Sequence, residues 1–173
     1  PVAYGNWPNS GEIDIMEHVN YENVVHQTIH NATVTDASGG SSATKTTAYN
    51  TADYNIYGIV WSPGAIQFYV NNVLQYTYTR ATGATSAQWP FDKPFYLILN
   101  QSGGAGWPGA INNADLPFNM NVDWVRVYKE IPVLENSGFE AASLTPWITW
   151  NPAGTTALVT NNFRSGAKAI RQQ

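Results

Sequence analysis

Short runs rich in strand-forming apolar residues alternate along the chain with clusters of Gly, Pro, Asn, Asp and Ser, and no segment combines a 3.6-residue apolar repeat with helix caps. The pattern predicts an almost entirely β protein. Strands are expected within residues 11–19, 24–31, 54–61, 66–70, 73–76, 95–100 and 122–128. Asn71-Asn72, a pair tolerant of positive φ, joins two of these runs as a hairpin. Residues 95–100 read as a buried strand emerging at Asn100, and residues 122–128 as an alternating strand that closes the region. The Ser-, Gly- and Thr-rich residues 36–53 read as a flexible loop between strands, and residues 80–90 as a second polar loop.

The character changes at a Glu130-Ile131-Pro132 junction. Beyond it, about forty residues of β type are too few for an independent sandwich. They either pad the first domain or begin a module that continues past Gln173.

One run breaks its own alternation. In Gly11-Glu12-Ile13-Asp14-Ile15-Met16-Glu17-His18-Val19, a regular strand puts Glu12 and Asp14 on one face and Ile13 and Ile15 on the other. Strict parity would then turn Glu17 into the core as an unpaired charge, which is prohibitively costly. A β-bulge near Ile15-Met16 restores parity, bringing Glu17 onto the acidic face and sending Met16 inward. Four effective strand steps then separate Glu12 from Glu17, roughly 13 Å between Cα atoms. Side chains leaning together bring the carboxyls to about 5–6 Å, near the spacing of retaining glycosidases. Three carboxylates so close cannot all ionise easily, so at least one pKa rises, which suits a general acid. Spacing alone leaves two other readings open, an exposed acidic strand and a calcium site, although a calcium loop more often carries Gly, Asn and Asp than Ile at alternate positions.

His26, Thr28 and His30 share a face of the next strand and line the same groove. For each histidine a structural hydrogen bond is the more ordinary role, and His30 is the better candidate for chemistry. The two stand too far apart along a strand to share a metal ion easily. The glycine-rich residues 101–109, QSGGAGWPG, lack the following helix and Lys-Ser/Thr of a phosphate loop, and instead offer Trp107 to a ligand. Trp7, in the turn-rich loop before Glu12, either packs underneath or faces a sugar.

Composition narrows the partners. Charged residues are 12% and the net charge is −4, which argues against nucleic acid and, more weakly, against polyanionic substrates. Seven Trp, ten Tyr and six Phe beside many Asn and Thr suit stacking on sugar rings, with most of the aromatics filling a core. Cysteine is absent, which excludes disulfides, thiol catalysis and Cys-based zinc sites. No apolar run is long enough for a transmembrane helix. The first residues, Pro1-Val2-Ala3-Tyr4, are neither an initiator Met nor a signal peptide, so the chain reads as processed or cut.

Taken together, these motifs carry a family resemblance. Trp7-Pro8 ahead of Gly-Glu-Ile-Asp-Ile-Met-Glu, His30 on the following strand, Tyr57-Gly58-Ile59-Val60-Trp61, the run 89–100 from Trp89-Pro90-Phe91 to Leu99-Asn100, Gly103-Gly104 with Trp107-Pro108-Gly109, and Val122-Asp123-Trp124-Val125-Arg126 keep one order. The chain resembles glycoside hydrolase family 16, in the branch of laminarinases and β-1,3(4)-glucanases. The resemblance implies a concanavalin-like jelly-roll β-sandwich, incomplete at the N-terminus, with a concave sugar-binding face and double-displacement hydrolysis. It implies that Glu12 is the nucleophile, Glu17 the acid/base and Asp14 the residue that orients and shares protons with Glu12. Trp7, His30, Asn100 and Trp107 become substrate-binding residues, and Asp123 matches a position that helps bind a structural calcium on the far face in relatives. No cofactor is required for the chemistry. Residues 1–130 are then the C-terminal part of a catalytic domain and residues 131–173 the opening of a carbohydrate-binding module.

The implied activity is an endo-acting, retaining hydrolase of β-1,3 or mixed β-1,3/1,4 glucan, secreted or at the cell surface or periplasm, and monomeric when full length. The competing reading from another class is a non-catalytic glycan-binding module that uses the same face. Transglycosylation differs only in the acceptor, and relatives with the bulged motif also act on algal galactans, although the Ile-Met-Glu flanks and the low basic charge favour neutral β-glucans.

Overall fold

The computed structural model describes residues 5–104 and 106–129, together with the backbone of Thr156–Val159 and Ala169–Gln172. Two compact units divide the chain, Pro1–Met120 and Asn121–Gln173. Among the described residues the only helix is a 3-10 turn, Asn113–Asp115, and no helix is long and apolar enough to cross a membrane.

The first unit holds two antiparallel sheets. One is built from β1 (Glu12–Glu17), β2 (Val24–His30) and β3 (Thr44–Ala48) in that order, the other from β4 (Tyr57–Trp61), β5 (Ala65–Val70) and β6 (Val73–Thr79). On β2, Val25, Gln27 and Ile29 turn inward and are fully buried, which leaves His26, Thr28 and His30 on the outer face. On β5, Ile66, Phe68 and Val70 are the buried set. Ile29 of the first sheet and Ile66 and Phe68 of the second join one core with Ala43, Tyr78, Trp89 and Phe91. Alternation on both sheets thus supplies the inner faces of a sandwich. Asn71 and Asn72, at φ 50° and 65°, make the expected two-residue hairpin between β5 and β6.

Three expectations change. Residues 36–53 are not a plain loop, because β3 lies within them and pairs with β2 from Val24↔Ala48 to Thr28↔Thr44. Its sequence, TKTTA, has no apolar alternation because an edge strand buries little, so only β-branched threonine hints at it. Residues 95–100 and 122–128 form no ladder among the described residues. Phe95 packs on the core, but Tyr96 to Leu99 are each more than half exposed, and Val127 is 92% exposed. Apolar alternation makes a strand only where a neighbour completes its hydrogen bonds, and neither segment has that neighbour among the described residues. The boundary expected at 130/131 and most of the segment that follows it lie outside the described residues. In the second unit, β7 (Thr156–Val159) and β8 (Ala169–Gln172) pair antiparallel.

Gly11 sets how the loop enters β1. It is buried at φ +80°, and a Cβ there would lie 2.7 Å from Pro90 Cγ and 3.0 Å from Phe91 Cε1. A side chain is therefore excluded by backbone and by space together. Gly11→Ala is expected to cost about 2–4 kcal/mol. Urea unfolding would measure it as a lowered midpoint with an unchanged slope.

Candidate active site

The site grows from one irregularity. Glu12 opposes His30, Ile13 opposes Ile29 and Asp14 opposes Thr28, but Glu17 opposes His26, so three steps on β1 match two on β2. One extra residue lies between Asp14 and Glu17, and this is the bulge that parity demanded. Gln27 lies opposite it. Its buried amide nitrogen donates to the Ile15 carbonyl at 3.1 Å and to the Tyr69 carbonyl of the second sheet at 3.3 Å. Met16 is the exception to the expectation. It stays exposed at 38%, because the buried group under the bulge is Gln27.

With parity restored, the three carboxylates share a face with His26, Thr28 and His30. The Trp7 indole N–H donates to Glu12 Oε2. Nε2 of His30 lies 3.2 Å from Asp14 Oδ2, an ionic contact whose geometry falls short of an aligned hydrogen bond. Nδ1 of His30 meets Thr35 Oγ1 at 3.2 Å, and its ring centroid is 5.5 Å from that of Trp7. Thr28 Oγ1 approaches Glu17 Oε2 at 3.4 Å and Thr44 Oγ1 at 3.0 Å. Trp7 itself is braced by the 36–40 turn, where a Cβ on Gly39 would sit 3.5 Å from the indole.

The carboxyls differ electrostatically. Burial raises Glu17 to about 7, with the charge of Asp14 adding to the effect. Burial and then Asp14 also raise Glu12, whereas the indole N–H opposes the rise by favouring the anion. His30 is raised chiefly by its contact with Asp14, against the opposing effect of its own burial. The cluster thus keeps a proton on Glu17 near neutral pH and a hydrogen-bond donor on Glu12.

At the Glu17 end, Glu22 Oε2 holds His26 Nε2 at 2.7 Å, and the His26 ring meets Trp107 edge-on at 4.9 Å between centroids. Asn20 Nδ2 donates to the Pro108 carbonyl at 2.9 Å. The structure therefore gathers Glu12, Asp14, Glu17, Trp7, His30 and Trp107. It does not bring in Asn100, which is exposed and tied to the cluster by no hydrogen bond among the described residues. Thr28, Thr35, Thr44 and Glu22 complete the surroundings. Of these only Thr28 was signalled by parity, since the others depend on pairing and loop geometry.

Ligand atoms of Glu12, Asp14 and His30 lie within 4.8 Å of one another, a spacing that could hold a metal ion. Those groups are already engaged with one another and with Trp7. Asp123 belongs to the second unit, and no group of three His, Cys, Asp or Glu ligands forms around it among the described residues.

A half-buried pair of glutamates on one face of a β-sandwich strand, one of them raised to about 7, with aromatics at both ends, is an arrangement suited to glycan processing. Residues 3–126 match the glycosyl hydrolases family 16, and the chain belongs to that family. It is 60% identical over 171 residues to the keratan-sulfate endo-1,4-β-galactosidase of Sphingobacterium multivorum, covering 99% of this chain and 40% of that protein. It is 39% identical over 140 residues to a β-glucanase of Rhodothermus marinus, covering 73% of this chain and 48% of that one. The crystal structure of a laminarinase from Flavobacterium sp. UMI-01 matches with a TM-score of 0.58 at 33% identity, covering 64% of this chain and 48% of that one. The fold is the all-β jelly roll of these neighbours. The chain spans less than half the length of each of these relatives.

Glu17 is expected to titrate near pH 7 by carbon-13 NMR of the carboxyl. Asp14→Asn should lower that value, because the charge of Asp14 helps to raise it. An unmoved Glu17 titration would refute the electrostatic coupling.

Proposed function

We propose that the chain carries the reacting carboxylates of an endo-acting, retaining β-glycosidase. One observation carries the reading: the bulge that aligns Glu17 with Glu12 and Asp14 on one face. Glu17 donates its proton to the glycosidic oxygen as a Glu12 carboxylate oxygen attacks the anomeric carbon from the other face. The glycosidic bond breaks and a glycosyl ester forms on Glu12. Glu17, now a carboxylate, takes a proton from water, which attacks the anomeric carbon and releases Glu12. Asp14 orients Glu12 and exchanges protons with it, and His30 holds Asp14.

For the substrate, identity of 60% through nearly the whole chain supports a β-1,4-galactosidic bond in a sulfated glycan of the keratan-sulfate kind. Hydrolysis of β-1,3 or mixed-linkage β-glucan is the second reading, supported by the β-glucanase and laminarinase similarities. A secreted or surface location accompanies either polymer. A structural calcium at Asp123 rests on the family resemblance alone, since no group of three His, Cys, Asp or Glu ligands forms around it among the described residues.

The test supplies keratan sulfate, laminarin and mixed-linkage glucan to the chain and follows the first anomer released by proton NMR. Release of the β anomer is expected, and the α anomer would refute double displacement. Glu12→Gln should abolish turnover, and Glu17→Gln should slow it by about 10²–10⁴-fold. Because Glu17 must be protonated to act, turnover should fall as pH rises through about 7. Binding without hydrolysis would favour the glycan-binding module instead. For the calcium, added Ca²⁺ should raise the melting temperature of the chain but not that of Asp123→Ala, and equal shifts in both would exclude it.

A further inference from the structure

The register that brings Glu17 onto the reactive face also sets a hydroxyl beside it. Thr28 opposes Asp14 on β1 and Thr44 on β3, while His26, two residues earlier on the same face, opposes Glu17 and Thr46. Thr28 thus stands between the two carboxyls that flank the bulge. It is buried, and its Oγ1 lies 3.4 Å from Glu17 Oε2 and 3.0 Å from Thr44 Oγ1. Thr44 Oγ1 lies in turn 3.5 Å from the Gln27 carbonyl oxygen. Oxygens of Gln27, Thr44 and Thr28 therefore form a row that ends at Glu17.

Each hydroxyl carries one proton, and a carbonyl oxygen only accepts. With Thr44 turned toward Thr28 and Thr28 toward Glu17, the row aims a donor at Oε2. With both turned away, Thr28 donates to Thr44 and Thr44 to the Gln27 carbonyl, and the donor is withdrawn. The surroundings of Glu17 give this choice a use. Burial, Asp14 and Glu12 disfavour its anion, whereas His30 and His26 favour it. His26 is already held by Glu22, Trp107 brings no charge, and β3 presents the uncharged Thr44 and Thr46 on this face. A fixed cation beside Glu17 would strip it of the proton that the first step of the proposed reaction transfers. A hydroxyl that turns toward Oε2 when the charge appears leaves that proton in place and still serves the carboxylate of the second step. A charge-assisted O–H···O⁻ bond is about 2.5–2.7 Å long, so the 3.4 Å contact has room to shorten.

Resting on the acid/base role proposed for Glu17, we infer that Thr28, backed by Thr44, is a positioning residue for that carboxylate. It holds Oε2 while the glycosyl ester is hydrolysed and leaves Oε1 to take the proton from water. No atom of Thr28 is transferred, and its hydroxyl proton stays on Oγ1 throughout.

The experiment follows the carbon-13 titration of the Glu17 carboxyl in Thr28→Val, which keeps the branched shape and removes the hydroxyl. Losing a donor to the anion should move that titration upward by about half a unit to one unit, and the alkaline limb of kcat/KM by the same amount. On a dinitrophenyl glycoside of whichever polymer's repeat is cleaved, departure needs no acid and ester hydrolysis limits the rate. There kcat at pH 7 should fall about tenfold. Thr28→Ser should restore both readouts. Thr44→Val, on the exposed edge strand, removes the backing donor and should give a smaller shift in the same direction. A purely structural role would lower the melting temperature of Thr28→Val and leave the Glu17 titration in place. That result, or a downward shift, overturns the assignment. Should Thr28→Val not fold, an unmoved titration in Thr44→Val overturns it instead. The titration requires no turnover, so it decides the role of Thr28 even where no polymer is cleaved and the reaction proposed above fails.

Discussion

Everything at the site depends on the single extra residue between Asp14 and Glu17. Without it, Glu17 would face Val25 and Ile29 in a core with no cation to receive it. With it, one strand presents three carboxyls on one face while its neighbour keeps two-residue periodicity. A bulge leaves backbone groups unpaired, and this one is supported from below. Gln27 takes a strictly buried position that β2 would otherwise fill with an apolar residue, and its amide ties the bulged strand to Tyr69 of the opposite sheet. A polar side chain in the middle of the sandwich is thereby explained by the chemistry on its surface.

The electrostatics follow from that crowding. Asp14 is the hinge of the cluster, since its charge raises both glutamates and its contact raises His30. Environment then separates two chemically identical side chains. Both glutamates are raised, but an indole N–H opposes the rise at Glu12, whereas the hydrogen bond at Glu17 among the described residues is a long threonine contact at 3.4 Å. The different roles proposed for the two carboxyls would be set by what touches them, as in other acid/base pairs.

Parity made the bulge legible in the sequence, because a buried unpaired glutamate was the only alternative. Alternation likewise marked the His26, Thr28 and His30 face of β2, and Asn71-Asn72 marked its hairpin by tolerating positive φ. Legibility ended where structure depends on partners. β3 has no apolar signal because an edge strand buries little, and residues 95–100 carry a strong signal but have no paired neighbour among the described residues. Glu22 and Thr35 join the site through a loop contact to a histidine, and no local pattern encodes such a contact. Met16 shows the same limit, for parity says which way a side chain turns but not whether something will cover it.

The two tryptophans that bracket the cluster are held in different ways. Trp7 sits on a turn whose end, Gly11, is wedged against Pro90 and Phe91, and its ring is fixed by Glu12, His30 and the 36–40 turn. Trp107 rides on a loop with positive φ at Gly104, Gly106 and Gly109, and it is secured by the edge of His26 and by Asn20 on the Pro108 carbonyl. Two contacts constrain less than a wedge against the core. The Glu12 end is therefore packed against the core, and the Glu17 end is held by contacts on the surface. That asymmetry fits the proposed double displacement, in which the nucleophile must meet one carbon along one line, whereas the acid/base has first to reach a departing oxygen and then an entering water.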